Sequence, residues 1–374
     1  MRRITAVLYI GLVCAAAGTP AHTGNTIGLY HWGGTFSKSM SQGIEQIAAL
    51  GVRNARVSLS ARYYADYNIS STACYQNFSL TDAARLPDVK RAFDNPNIDV
   101  IMITAYDGVT FGDCQTHRYL SPRFYTPENT AAIVQEYSDF TLYLYQTYQG
   151  THKRFIISNW EADNDVYCGR AWGYATFQAV RASCDATYAL AYGGNATPQD
   201  SLEGLKLWFM ARQRGILEGR NRAAALGIGG APRVYFAVEF CMVHALRDAG
   251  LKSVLYDVLP FVTFDYASYS AYESINRPDP VASLVADLNL LRDVLGSNSI
   301  ILGEIGFSPS QLGFDAAIAH TNEVIEAATA WGVSYMFQWH LFNQGTQDDF
   351  GLYDCNGQAT PFGNYYAGKA LNIN

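Results

Sequence analysis

Charge is scarce in this sequence, and so are cysteine, methionine and proline. Only 16% of the 374 residues are charged, and the formal net charge is −7 with no basic stripe. That excludes a reader of nucleic-acid backbones. No glycine-rich fingerprint follows the first apolar strand. Gly227, Ile228, Gly229 and Gly230 precede a strand, the wrong order for cradling a phosphate. The Cys and His spacings do not resemble a zinc site, so neither a metal nor an organic cofactor is expected. Past the N-terminus no apolar run is long enough to cross a bilayer. There is no repeat, low-complexity tract or linker, so no second domain is expected.

The N-terminus supplies the first positive signal. Arg2 and Arg3 precede an apolar run, Ile4–Ala17, and small residues follow up to Ala21. This reads as a secretory signal over residues 1–21, leaving 22–374 as the mature chain, outside the cell or in a periplasm and free of the membrane. Six cysteines then remain: Cys74, Cys114, Cys168, Cys184, Cys241 and Cys355. An even count in a secreted chain favours disulfides. Cys168 with Cys184 closes one loop, Cys74 with Cys114 would tie two loops, and Cys241 follows a strand as a free buried thiol. Asn68, Asn77 and Asn195 begin glycosylation sequons. The 26 Tyr, 19 Phe and 6 Trp suit a protein that stacks on sugars.

Apolar runs and helical spacings alternate along the chain. Strands are expected at Thr26–Trp32, Asn54–Ser60, Asp99–Tyr106, in the stretch Arg154–Asp163, and at Val234–Phe240, Phe261–Tyr272, Ser299–Ile305 and Val333–Phe342. Helices are expected between them, among them Pro127–Tyr148, Pro198–Leu226, His244–Leu259 and Pro280–Leu295. Loops are expected after strands two, three and four, the last spanning Ala162–Thr197. Eight such units in about 350 residues predict an α/β fold, a single parallel (β/α)8 barrel.

In such a barrel the chemistry sits at the C-terminal strand ends. Trp32 ends strand one, and Arg56 lies in strand two. Asn159, Trp160 and Glu161 end strand four, with alternation placing Asn159 and Glu161 on one face and Trp160 on the other. Glu239 ends strand five, Ser270 and Tyr272 end strand six, and Glu304 ends strand seven between Gly303 and Gly306. Trp339 and His340 end strand eight. Cleaving a glycoside needs one carboxylic acid to protonate the leaving oxygen and a second carboxylate to attack the sugar or activate water. Strands four and seven lie across the barrel mouth, so Glu161 and Glu304 can flank one bond.

In these residues and their order, the chain resembles the large clan of retaining glycoside hydrolases with (β/α)8 barrels. The resemblance implies that Glu161 is the acid/base and Glu304 the nucleophile. It implies that Arg56 and Tyr272 hydrogen-bond Glu304 and keep it ionised, and that Trp339 floors the subsite of the reacting sugar. The clan places Asn directly before the acid/base Glu; here Trp160 stands between them. A monomer acting on a carbohydrate is expected. Trp32, Asn159, Trp160, Glu239, Ser270 and His340 complete the expected substrate contacts, with Glu239 a substrate or structural contact rather than a catalytic group. Two rivals remain at this point. One is a non-catalytic carbohydrate-binding barrel; the other is a metal-dependent hydrolase, for which only His31 and His340 are placed.

Overall fold

The computed structural model describes residues 26–32, 38–67, 69, 74–192, 196–228, 233–344 and 349–370. The expected signal segment and two sequon positions, Asn68 and Asn195, lie outside the described residues. Eight strands run β1 (Ile27–His31), β2 (Asn54–Leu59), β3 (Val100–Ala105), β4 (Arg154–Ser158), β5 (Val234–Phe240), β6 (Tyr266–Ser270), β7 (Ile300–Ile305) and β8 (Met336–Gln338). They form a closed barrel in sequence order, with β8 pairing back onto β1, and every pairing is parallel. The expected (β/α)8 barrel is therefore the fold.

Period-2 alternation separates two packing layers. Ile101, Ile103, Phe155, Ile157, Val238 and Phe240 belong to the large core under the helices. Their neighbours Val100, Met102, Ile156, Ala237, Tyr266 and Ile301 form a second cluster inside the barrel. Continuing the inward rows toward the C-terminal ends changes their chemistry. Met102 gives way to Thr104, Ile156 to Ser158, Ala237 to Glu239, Tyr266 to Ser268 and Ser270, and Ile301 to Gly303. The lower barrel is an apolar plug and the upper barrel a buried polar layer, on which the site stands.

Several elements differ from expectation. β6 covers only the middle of its predicted run: Phe261 lies in a short 3-10 turn, and Tyr272 opens a helix, Tyr272–Ile275. β8 is three residues long, and its register against β7 shifts between Leu302 and Ile305. The helix expected over His244–Leu259 is two short ones, Ala245–Asp248 and Val254–Asp257. Gly250 between them has φ +70, a left-handed conformation that ends a helix. The predicted loop after β4 is largely helical, with Ala162–Val166, Ala171–Thr176 and Gln178–Tyr192. Disulfides join Cys168 to Cys184 and Cys74 to Cys114; Cys184 lies in a helix rather than a loop. Cys241 is a free, buried thiol, and Cys355 is also unbridged.

Candidate active site

The site is built on an ion pair inside the barrel. Arg56, on β2, is fully buried and grips Glu239, on β5, with two hydrogen bonds, Nη1 to Oε2 at 2.7 Å and Nη2 to Oε1 at 2.8 Å. The remaining donors reach Thr104 Oγ1 at 3.0 Å and the Gly303 carbonyl at 2.8 Å. Ser268 donates to Glu239 Oε2 at 2.8 Å. A buried pair is held in place when every donor and acceptor is matched like this. Gly303 has no side chain because a Cβ there would run into Glu239 Oε2 and Ser268 Oγ. The close approach expected of this glycine is to the ion pair.

The end of β4 is clamped to the same frame. Arg212 Nη2 donates to the Ser158 carbonyl at 2.7 Å. Asn159 spends its amide on β5: Oδ1 accepts from Glu239 N and Nδ2 donates to the Glu239 carbonyl, both at 2.9 Å. Glu161 N donates to Glu239 Oε1 at 3.2 Å. Regular strand stops at Ser158, so the alternation expected beyond it does not hold. Trp160 and Glu161 both line one cavity, and the fully buried Asn159 does not. Asn159 fixes the backbone from which Glu161 departs, which corrects its expected place beside Glu161 at the barrel mouth.

That cavity has a volume of about 710 Å³ and opens at the C-terminal end of the barrel. Glu161 and Glu304 both line it, with Tyr272, Trp32, Trp160 and Trp339. The Trp339 ring lies 4.9 Å from Tyr30 and 6.1 Å from Trp32, centroid to centroid. The Trp339–His340 peptide bond is cis, and His340 is buried behind Trp339, its ring stacked on the indole at 4.3 Å. Arg56, Asn159, Glu239, Ser270 and His340 lie behind the cavity wall. His31 is likewise buried outside the cavity, against Ser39. Among the described residues no group of three or more His, Cys, Asp or Glu is arranged to hold a metal ion.

The two candidate carboxyls are nearly excluded from water, Glu161 being 6% and Glu304 3% exposed. Burial pushes Glu161 up to about 7. Ser270 Oγ, 2.5 Å from Oε1, and Asn164 Nδ2 on Oε2 pull it down, and the Glu239 charge pushes it further up. Burial also raises Glu304 well above the usual carboxylate range, with Arg56 pulling it back and Glu161 and Glu239 adding to the rise. Ser270 bonds Glu161 and is the register partner of Glu304 on the neighbouring strand.

The expected hydrogen bonds to Glu304 are not made. Arg56 Nη1 is 3.4 Å from Glu304 Oε1, an ion-pair contact, because its hydrogen bonds are spent on Glu239. Glu304 Oε1 and the Tyr272 hydroxyl have no hydrogen-bond partner among the described residues. Both are buried polar atoms left unspent, in residues that line the cavity.

Three acidic residues matter beyond those expected of the strand ends. Asp165 lies one helical turn after Glu161 and lines the same cavity. Burial raises it to about 7 against hydrogen bonds from Tyr106, at 3.0 Å, and Tyr119. Asp66 lines the cavity beside Trp32, raised by burial to about 6. Asp163 is structural, accepting from Cys241 N, Met242 N and Val254 N. The four-residue spacing from Glu161 to Asp165 was the available signal, but it carries meaning only once residues 162–166 are known to be helical.

No family model matches the chain, and no curated protein matches it. Solved structures share the fold. Over 93% of its length the chain is similar to a GH5_18 protein from Streptomyces cattleya in complex with Manb1-4GlcNAc, at 12% identity and a TM-score of 0.55, covering 81% of that chain. It is similar over 92% of its length to an exo-beta-1,4-mannosidase from Opitutaceae bacterium strain TAV5, at 12% identity and a TM-score of 0.54, covering 59% of that chain. Aphid myrosinase gives 11% identity and a TM-score of 0.50 over 89% of this chain and 87% of its own. At these identities the likeness is one of fold.

Proposed function

We propose that this protein is a secreted, monomeric glycoside hydrolase that cleaves a poly- or oligosaccharide with retention of configuration. One observation carries the reading. Two buried carboxyls, from opposite strands of the barrel, face one aromatic cavity while the remaining strand-end glutamate, Glu239, is consumed by Arg56. Among the fold's solved counterparts, one is named as a mannosidase and another is in complex with Manb1-4GlcNAc, which supports a sugar substrate.

The chemistry follows from the charges. Glu239 neutralises Arg56, so Glu161 and Glu304 face each other without a second full cation, and burial favours keeping one proton between them. The productive form has that proton on Glu161 and leaves Glu304 ionised beside Arg56. Glu304 attacks the anomeric carbon as Glu161 protonates the departing oxygen. Glu161 then takes a proton from water, which releases the sugar from Glu304. In this reading Tyr272 donates to Glu304 once substrate is bound, and Trp339 supports the ring of the reacting sugar. No step calls on a cofactor. Secretion, with removal of residues 1–21, is supported by the two disulfides and by the lack, among the described residues, of any helix long and apolar enough to cross a membrane.

Azide separates the two roles. Glu304→Ala should stop hydrolysis and, with azide, give a glycosyl azide of inverted configuration. Glu161→Ala should still cleave aryl glycosides with good leaving groups, and azide should speed that turnover with retention. Near-native hydrolysis by either variant of a glycan the wild type cleaves would end this reading. Glycan binding with no turnover by the wild type would favour a carbohydrate-binding barrel instead.

A further inference from the structure

A second cavity, of about 1030 Å³, adjoins the first, and the two share Met242 and Tyr272 as common wall. Its size is at the upper end of the roughly 300–1,000 Å³ typical of small-molecule sites. It is built by the connections after β4, β5 and β6, with Gln311 from the connection after β7. The first cavity is lined from the ends of all eight strands, and Glu161 is tied through Asn164 to Ala171 N, in the segment that carries Trp172 into the second. A general acid sits beside the leaving oxygen. The second cavity is therefore where the leaving group of the cleaved bond would extend.

Its lining has the chemistry of a sugar site. Trp172 is 53% exposed and lines the cavity, its ring near-perpendicular to that of Phe177 at 5.5 Å. Around it stand the side-chain amides of Asn276 and Gln311. An aromatic face for C–H groups with side-chain donors and acceptors beside it suits a neutral saccharide. Of the charged lining residues, Glu273 is consumed by the N–H groups of Val243, His244 and Ala245, Arg277 faces Asp287 at 3.5 Å, and Asp248 faces Arg247 at 3.5 Å.

The platform is fixed to the catalytic acid. Asn164 donates to Glu161 through Nδ2 and accepts from Ala171 N through Oδ1 at 2.8 Å, at the start of the helix that carries Trp172. The Cys168–Cys184 disulfide brackets the same segment.

We propose that this second cavity binds the leaving-group end of a neutral oligosaccharide, with Trp172 as its stacking platform. The protein therefore selects chains that continue for two or more sugars past the cleaved bond. This rests on the glycosidase reading for the direction of the chain, but binding can be tested without turnover. Calorimetry on Glu304→Gln, with the hexasaccharides and disaccharides of β-1,4-mannan, β-1,4-glucan, β-1,4-xylan and β-1,3-glucan, should find one hexasaccharide bound at least tenfold tighter than its disaccharide. Adding Trp172→Ala should weaken the hexasaccharide roughly tenfold and leave the disaccharide unchanged, while Trp172→Phe restores most of the loss. With Glu304 intact, Trp172→Ala should lower kcat/KM for the hexasaccharide by a similar factor and spare aryl glycosides. Equal loss on both substrates, no effect of Trp172→Ala, or no hexasaccharide binding would overturn the proposal. Trp172-dependent binding without hydrolysis of any glycoside would keep the cavity and remove the glycosidase reading. Aryl-glycoside hydrolysis by the wild type, with hexasaccharide binding and turnover indifferent to Trp172→Ala, would do the reverse.

Discussion

Glu161 and Glu304 have opposite needs: burial raises both, and the Arg56 charge is what pulls Glu304 back toward ionisation. Glu161 must hold a proton near neutral pH, and burial with nearby negative charge provides for that. Activity should therefore fall as pH rises through about 7, where the acid is lost. Asp165, also raised to about 7, adds charge near Glu161 as it ionises. Asp165→Asn removes that charge, so the Glu161 proton should be released at lower pH and the alkaline limb of kcat/KM should move to lower pH. An unmoved limb would show that Asp165 does not act on Glu161. The two glutamates were legible in sequence because each ends an apolar run with glycine, asparagine or tryptophan beside it. The partner of Arg56 was not. Glu239 and Glu304 both reach it across the barrel, and only the side-chain packing around Gly303 decides that Glu239 takes the hydrogen bonds.

Among the elements, β7 and the connection after β4 bear most on the site. β7 passes so close to Glu239 that Gly303→Ala must displace the carboxylate from Arg56. Breaking a buried pair costs about 3–5 kcal/mol. Denaturant unfolding of Gly303→Ala should show a loss of that order together with loss of activity; a stable, active variant would mean the barrel absorbs the methyl group. The Cys168–Cys184 bridge spans 16 residues, so replacing both with Ser should cost roughly 3 kcal/mol if loop entropy governs. Limited proteolysis should then cut residues 168–184 first. The strands were legible as bounded apolar runs, but where the run extended past the ladder, as at 261–265 and 333–335, composition could not mark the edge. The helices after β4 were missed because they carry no sustained apolar stripe; Ala171–Thr176 buries only Ala171 and Tyr174, and Gln178–Tyr192 only Cys184 and Tyr188.

At the scale of the whole molecule, several carboxyls are more basic when folded than when unfolded. Glu161 and Asp165 are raised to about 7, Asp163 and Asp66 to about 6. For a raised acid, folding is favoured with the proton on. Their contribution is full below the unfolded values near 4 and is lost as pH rises through 6 to 7. Thermal unfolding should therefore show a lower Tm at pH 8 than at pH 5, and Asp165→Asn should narrow the gap. The barrel itself was legible from eight alternating units, because each parallel strand buried on both faces writes its own apolar run. The cavity was not, since its walls come from seven connections whose packing no single segment encodes. The central claim, that Glu304 is the group that attacks the sugar, is tested most directly by trapping. A 2-deoxy-2-fluoro aryl glycoside matched to the preferred sugar should inactivate the wild type with one label per chain, and peptide mass spectrometry should place that label on Glu304. A label on Glu161 or Glu239, or hydrolysis with inversion and no label, would contradict it.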